Sequence, residues 1–120
     1  MMNIHVIELN GLRCAETDPS EPVISEERSA VDLIGLCGEH ETERLLMYAG
    51  NVPEAFFDLK SGLAGAVLQK LTNYHMKVAL VVTPERIQGR FAEFSRETNR
   101  GNQFRTFLNR EDALSWLTRD

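Results

Sequence analysis

Three short apolar runs, Arg44 through Ala49, Met76 to Val82 and Gln103 to Phe107, are each followed by a segment whose apolar residues recur every three or four positions. A strand-like run feeding a helix-like one, repeated along the chain, requires crossovers. Crossovers of this length join parallel strands, so these strands are predicted to be largely parallel with helices packed on them. Upstream, Ile4 to Leu9, then Asn10-Gly11, then Leu12 to Glu16 reads as a β-hairpin, because Asn-Gly tolerates the positive φ that a twist-matched two-residue turn needs. The predicted order is ββαβαβαβα. The fold class is α/β, a mixed sheet of about five strands with an N-terminal hairpin followed by largely parallel strands.

Local signals place the helices. Thr17-Asp18-Pro19-Ser20-Glu21-Pro22 is a turn-rich connector, after which Ser25 precedes Glu26 and Glu27 as a capped, acidic helix start. Val31, Ile34 and Cys37 or Gly38 are its expected apolar stripe. Pro53 to Asp58 reads as one helical turn with proline in first position. Helix 62–75 carries Leu63, Val67, Leu71 and Tyr74 or His75 at helical spacing. Thr83-Pro84-Glu85 is expected to start the next helix, with Ile87, Phe91, Phe94 and Thr98 on one face. Asn109-x-x-Asp112 caps the last, and Trp116 is expected to pack that helix on the sheet.

With 120 residues and 13.6 kDa, the chain fits one domain, 1–120, able to bury a core without staples. Met1-Met2-Asn3-Ile4-His5 lacks the cationic and apolar regions of a leader, and Val78 to Val82 is too short to cross a bilayer, so a soluble, cytoplasmic protein is expected. Cys14 and Cys37 have no metal-ligand spacing and read as buried, reduced thiols. The net charge of -5 argues against nonspecific nucleic-acid binding. It conceals an asymmetry: residues 1–59 carry -9 and residues 60–120 carry +4. Such a split favours an oriented partner or homo-oligomer, or simply gives two differently charged solvated faces.

The chemistry-bearing stretch is Asp58-Leu59-Lys60-Ser61-Gly62-Leu63-Ala64-Gly65. It puts amides, a hydroxyl and an ammonium at one helix N-terminus, where an anion can be held or a docking surface presented. Ser61 reads as the helix N-cap or as a phospho-acceptor. Lys60 opposes the helix dipole unless Asp58, a ligand phosphate or a partner's carboxylate lies between them, or else it points into solvent. Adjacent Phe56 and Phe57 must point in different directions, one into the core and one toward the surface or an interface. Arg96, Arg100 and Arg105 cluster around Asn99 to Asn102, either to meet an anion or acidic partner or to complement a helix C-terminus.

This order of elements, with Ser61-Gly62-Leu63-Ala64-Gly65 opening the helix after the third strand, resembles the STAS fold of the SpoIIAA-like anti-sigma-factor antagonists. The family's turn reads Asp-Ser-Ser-Gly-Leu-Gly, and phosphorylation of its first serine by a kinase partner selects the protein bound. Alignment of the Ser-Gly pairs puts Ser61 on the second serine and Lys60 on the phosphorylated one, so a phospho-switch carries over only if Ser61 substitutes. A closer resemblance is to a bacterial domain-of-unknown-function family numbered 4180. It is carried by Pro53 to Gly65, Leu68-Gln69-Lys70, Asn73-Tyr74 and Glu97-Thr98-Asn99-Arg100-Gly101.

No G-x-S-x-G elbow, Walker A run or H-E-x-x-H is present, and His5, His40 and His75 have no ligand spacing. No catalytic, metal or cofactor residue is therefore assigned. The expected activity is binding: a regulatory module that docks an unidentified protein through Asp58, Lys60, Ser61 and Gly62, with Phe56, Phe57, Arg96 and Arg100 as possible interface. The alternative is a binder of a small anionic ligand, a phosphate or nucleotide, held at Lys60–Gly62. Neither nucleic acid nor membrane is an expected partner.

Overall fold

The computed structural model describes residues 3–119; Met1, Met2 and Asp120 lie outside the described residues. Five strands form one sheet: β1 (Ile4–Leu9), β2 (Leu12–Thr17), β3 (Arg44–Tyr48), β4 (Lys77–Val81) and β5 (Phe104–Phe107). They lie side by side in chain order. β1 and β2 pair antiparallel from Ile4↔Thr17 to Leu9↔Leu12, and every later neighbour is parallel. Asn10 (φ 55°) and Gly11 (φ 76°) both occupy the left-handed region, as the two-residue hairpin turn demands.

Chain-order strands joined by crossovers of one hand must carry the connecting helices on one face. α1 (Glu27–Glu39), α2 (Glu54–Phe57), α3 (Leu63–Asn73) and α4 (Gly89–Thr98) do pack there, on Ala15, Leu45, Met47, Val78, Leu80 and Phe104. Among the described residues, only α5 (Arg110–Leu117), arriving after the last strand, returns over the opposite face, where Ala113, Leu114, Trp116 and Leu117 cover Cys14, Leu46 and Ala79. β3 and β4 are thus covered on both faces, which is why their sequences are continuous apolar runs. Truncating Leu45 or Leu80 to Ala would cost ~2–5 kcal/mol, because the surrounding layers cannot collapse fully into the void.

Several local expectations shift. The buried stripe of α1 is Ala30, Leu33 and Cys37, with Val31 left exposed. Its N-cap is Glu26, whose amide donates to Ser29 Oγ at 3.3 Å and whose carbonyl accepts the Ser29 amide at 3.1 Å, so Ser25 lies one residue outside. The segment after β4 breaks in two: Pro84–Arg86 forms a single 3-10 turn, and α4 starts only at Gly89. Ile87 therefore packs on the core from a linker instead of a helix. Tyr74 caps the end of α3 and is exposed. Asn109 caps α5 as expected, accepting the Asp112 amide at 2.8 Å.

β1, β2 and β3, from the acidic half, occupy one side of the sheet, and β4 and β5, from the basic half, the other. Both cysteines are fully buried free thiols, and burial pushes that of Cys37 up to about 12. Among the described residues, no helix is long and apolar enough to cross a membrane.

Candidate functional site

The route from β3 to α3 lies beyond the carboxyl end of the parallel strands. Asn51 fixes its start. This fully buried side chain accepts the Tyr48 amide at 2.7 Å and the Thr17 hydroxyl at 2.6 Å, and donates to the carbonyls of Asp18 and Glu21, both at 2.7 Å. These bonds sew the connector 18–24 to the end of β3, and among the described residues no buried side-chain nitrogen or oxygen lacks a partner.

α2 follows and splits the phenylalanine pair. Phe56 is 2% exposed and contacts Phe57, Phe91 and Phe104 in the core. It cannot form an interface, which corrects the assignment of both rings to one. Phe57 is the half-buried member, and Arg86 lies over its ring at 4.6 Å while gripping Glu54 through both terminal guanidinium nitrogens, at 2.8 and 2.5 Å. The Arg86 hydrogen bonds hold the Glu54 carboxyl below its ordinary range.

The exposed turn 58–62 satisfies itself. Asp58 Oδ1 accepts the Lys60 amide at 3.2 Å, and the Asp58 carbonyl accepts the Ser61 amide at 2.9 Å. The Gly62 amide donates to Leu59 O, and the Leu63 amide to Ser61 Oγ, each at 3.2 Å. Ser61 Oγ in turn donates to Ala55 O. Gly62 sits at φ 79°, a conformation that favours glycine, and it occupies the N-cap of α3. Ser61 therefore supports the helix from one residue further out than expected. The Asp58 carboxylate serves the Lys60 amide, and the Lys60 side chain extends into solvent.

Two open depressions follow α4, the first beside the turn and the second toward the far end of α3. Leu59, Arg90, Glu93, Phe94 and Glu97 line one; Leu68 and Thr72 of α3, with Glu97, Thr98 and Phe104, line the other, of about 180 Å³. The first has Leu59 and Phe94 as its apolar part and carries both charges, from Arg90, Glu93 and Glu97; the second carries Glu97 alone among polar neighbours. Arg96 and Arg100 are exposed but line neither, Arg100 lying 4.0 Å from Glu97. Arg105 points to the α5 face, donating to Gly101 O at 2.7 Å and lying 5.1 Å from the Trp116 ring centre. The three arginines of the expected cluster are thus dispersed.

The family described as a domain of unknown function, DUF4180, matches residues 9–117, a span that contains the turn, both depressions and every helix. The chain belongs to the DUF4180 family. No curated protein and no solved structure matches it. Within this DUF4180 chain, the motif Pro53 to Gly65 builds α2 and the turn, while Glu97 to Gly101 ends α4 beside Leu68, so the motifs that are far apart in sequence converge on one surface.

Sequence reasoning missed Arg86, Arg90 and Glu93 at this surface. The helical spacing of Arg90, Glu93, Phe94 and Glu97 was the available signal. A second polar cluster also went unforeseen. Glu16, Tyr48 and Arg110 meet at the carboxyl ends of β2 and β3, with Arg110 bonded to both Glu16 oxygens at 2.8 and 3.1 Å and the Tyr48 hydroxyl donating to Glu16. Burial pushes the Glu16 carboxyl up, but these hydrogen bonds prevail and leave it below its ordinary value. Burial, then the Glu16 partner, pushes the Tyr48 phenol up to about 12. Among the described residues, no group of three or more His, Cys, Asp or Glu could hold a metal ion.

Proposed function

We propose that this DUF4180 chain is a non-enzymatic, cytoplasmic regulatory module of STAS-like type that docks a protein partner on turn 58–62 and the adjoining depression of Leu59, Arg90 and Phe94. The observation that carries the reading is the turn's combination of exposure and internal satisfaction. Lys60 and Ser61 are presented to solvent on a backbone whose amides from Lys60 to Leu63 are all engaged. Such a turn is ordered before any partner arrives, which lowers the entropic cost of association.

The neighbouring surface has the composition of a protein-recognition patch: Leu59 and Phe94 form an apolar floor, ringed by Arg90, Glu93 and Glu97. Its open shape fits the apolar face of a partner helix better than a small molecule, which needs an enclosing pocket. The element order and the chain-order sheet favour the STAS likeness. The anionic-ligand reading has less support, since four of the amides it would draw on are already occupied.

Ser61 supplies a route to regulation. A phosphate there would remove the hydrogen that Oγ donates to Ala55 O and add a charge of about -1.5 to -2 beside Lys60 and the α3 N-terminus. The test is affinity capture from the native host with wild type, Lys60→Glu, Arg90→Glu and Ser61→Asp, and Tyr74→Glu as a remote control. A partner retained by wild type and Tyr74→Glu, but lost with Lys60→Glu and Arg90→Glu, supports the reading. Equal recovery by all variants refutes it, and equal recovery by Ser61→Asp alone refutes the switch.

A further inference from the structure

The two edges of the sheet are treated differently. On β5, the outward residue Thr106 is sealed by Asn99: its amide donates to Asn99 Oδ1 at 2.9 Å, and Asn99 Nδ2 reaches Thr106 Oγ1 at 3.3 Å and the Thr106 carbonyl at 3.5 Å. On β1, nothing comparable is present among the described residues. The Asn10-Gly11 turn makes Leu9 and Leu12 a hydrogen-bonded pair, so alternation directs the backbone groups of Ile4, Val6 and Glu8 away from β2, toward the open edge.

Proteins usually blunt such an edge with lysine, proline or a bulge. β1 contains neither residue type, and its register with β2 is unbroken. Its one acidic side chain, Glu8, lies 3.9 Å from Arg13 on the neighbouring strand. Val6 and Leu9 are 41% and 42% exposed on opposite faces of the hairpin, and Ile4 and Ile7 are half-buried. A row of free backbone groups flanked by apolar side chains on both faces calls for another strand.

We infer that the occupant is β1 of a second copy, paired antiparallel about a two-fold axis through Val6, so that one sheet runs continuously across a dimer. Antiparallel pairing about such an axis keeps like faces together, and the axis must therefore pass through a residue. Centring on Val6 pairs Val6 with its mate and Ile4 with Glu8, which places all the outward residues of both copies in the ladder. Centring on Glu8 would set two carboxylates directly opposite, a destabilising arrangement. Centring on Ile7 would leave Ile4 outside these pairings and bring the two carboxylates nearer. Since Asn99 closes the other edge, growth stops at two copies and does not continue as a filament. This dimer is independent of the surface at turn 58–62.

Sedimentation velocity over a range of concentrations tests it, with circular dichroism to verify folding. Wild type should sediment as a dimer, and Val6→Lys and Val6→Pro as monomers. Should Val6→Pro fail to fold, Val6→Lys preserves the test, because that side chain is exposed and its backbone N–H is kept. Val6→Cys should form a covalent dimer with oxidised glutathione while Tyr74→Cys does not, the native thiols being buried. A wild type that stays monomeric throughout, or a dimer indifferent to Val6→Lys and not cross-linked through Val6→Cys, would overturn the inference.

Discussion

Glu16 and Arg110 join the second strand to the last helix across 94 residues of chain, through paired hydrogen bonds of 2.8 and 3.1 Å. The Glu16 side chain is only 12% exposed, so its carboxylate is shielded in a way that most surface ion pairs are not, while Arg110 stays half exposed. It pins the start of α5, the helix that covers the second face of the sheet, beside Tyr48 at the end of β3.

The depressed Glu16 pKa has a defined sign. Stability from this group is present above the ordinary Glu value of about 4.3 and is lost as pH falls through the lower folded value. Glu16→Gln should therefore be less stable than wild type at neutral pH, with the gap closing in acid. Urea unfolding at several pH values checks this, and ultraviolet titration should show one of the two tyrosines ionising only near pH 12.

Asn51→Ala should be the most damaging single change near the site, at ~3 kcal/mol, since it leaves several buried donors and acceptors without partners. The urea midpoint gives the magnitude. Hydrogen exchange should show the loss concentrated in the connector 18–24 and the end of β3.

Ser61→Ala should cost about 1 kcal/mol, because the Leu63 amide loses its acceptor and Ala55 O its donor. Thermal or urea unfolding measures it. A loss no larger than experimental error would show that the hydroxyl contributes nothing to the turn.

Cys14 and Cys37 should resist thiol reagents in the native state, as both are fully buried and burial raises both thiols. Labelling by a disulfide reagent should be slow without denaturant and complete in strong urea. Rapid native labelling of either would contradict the burial.

What the sequence revealed follows from the range of each signal. The hairpin was legible because Asn10-Gly11 is a local requirement, and the buried strands because Leu45 to Met47 and Val78 to Leu80 form apolar runs. Val31 misled because its apolar character outweighed Ala30, the smaller residue that sits in the helix–sheet contact. The start of α4 was placed too early because Thr83-Pro84-Glu85 does start a helical turn, which stops at Arg86. Turn 58–62 was recognisable, but the positive φ of Gly62 moved the cap by one residue. The bonds of Arg86 to Glu54 and of Arg110 to Glu16 link residues distant in sequence, and no local pattern announces them.

The most direct measurement of the docking account is photo-cross-linking in the native host, with a benzophenone side chain at position 60 in one strain and at exposed position 74 in another. The account predicts a discrete adduct with a partner protein from position 60 that is absent from position 74. No adduct at position 60, or identical adducts from both positions, would contradict it.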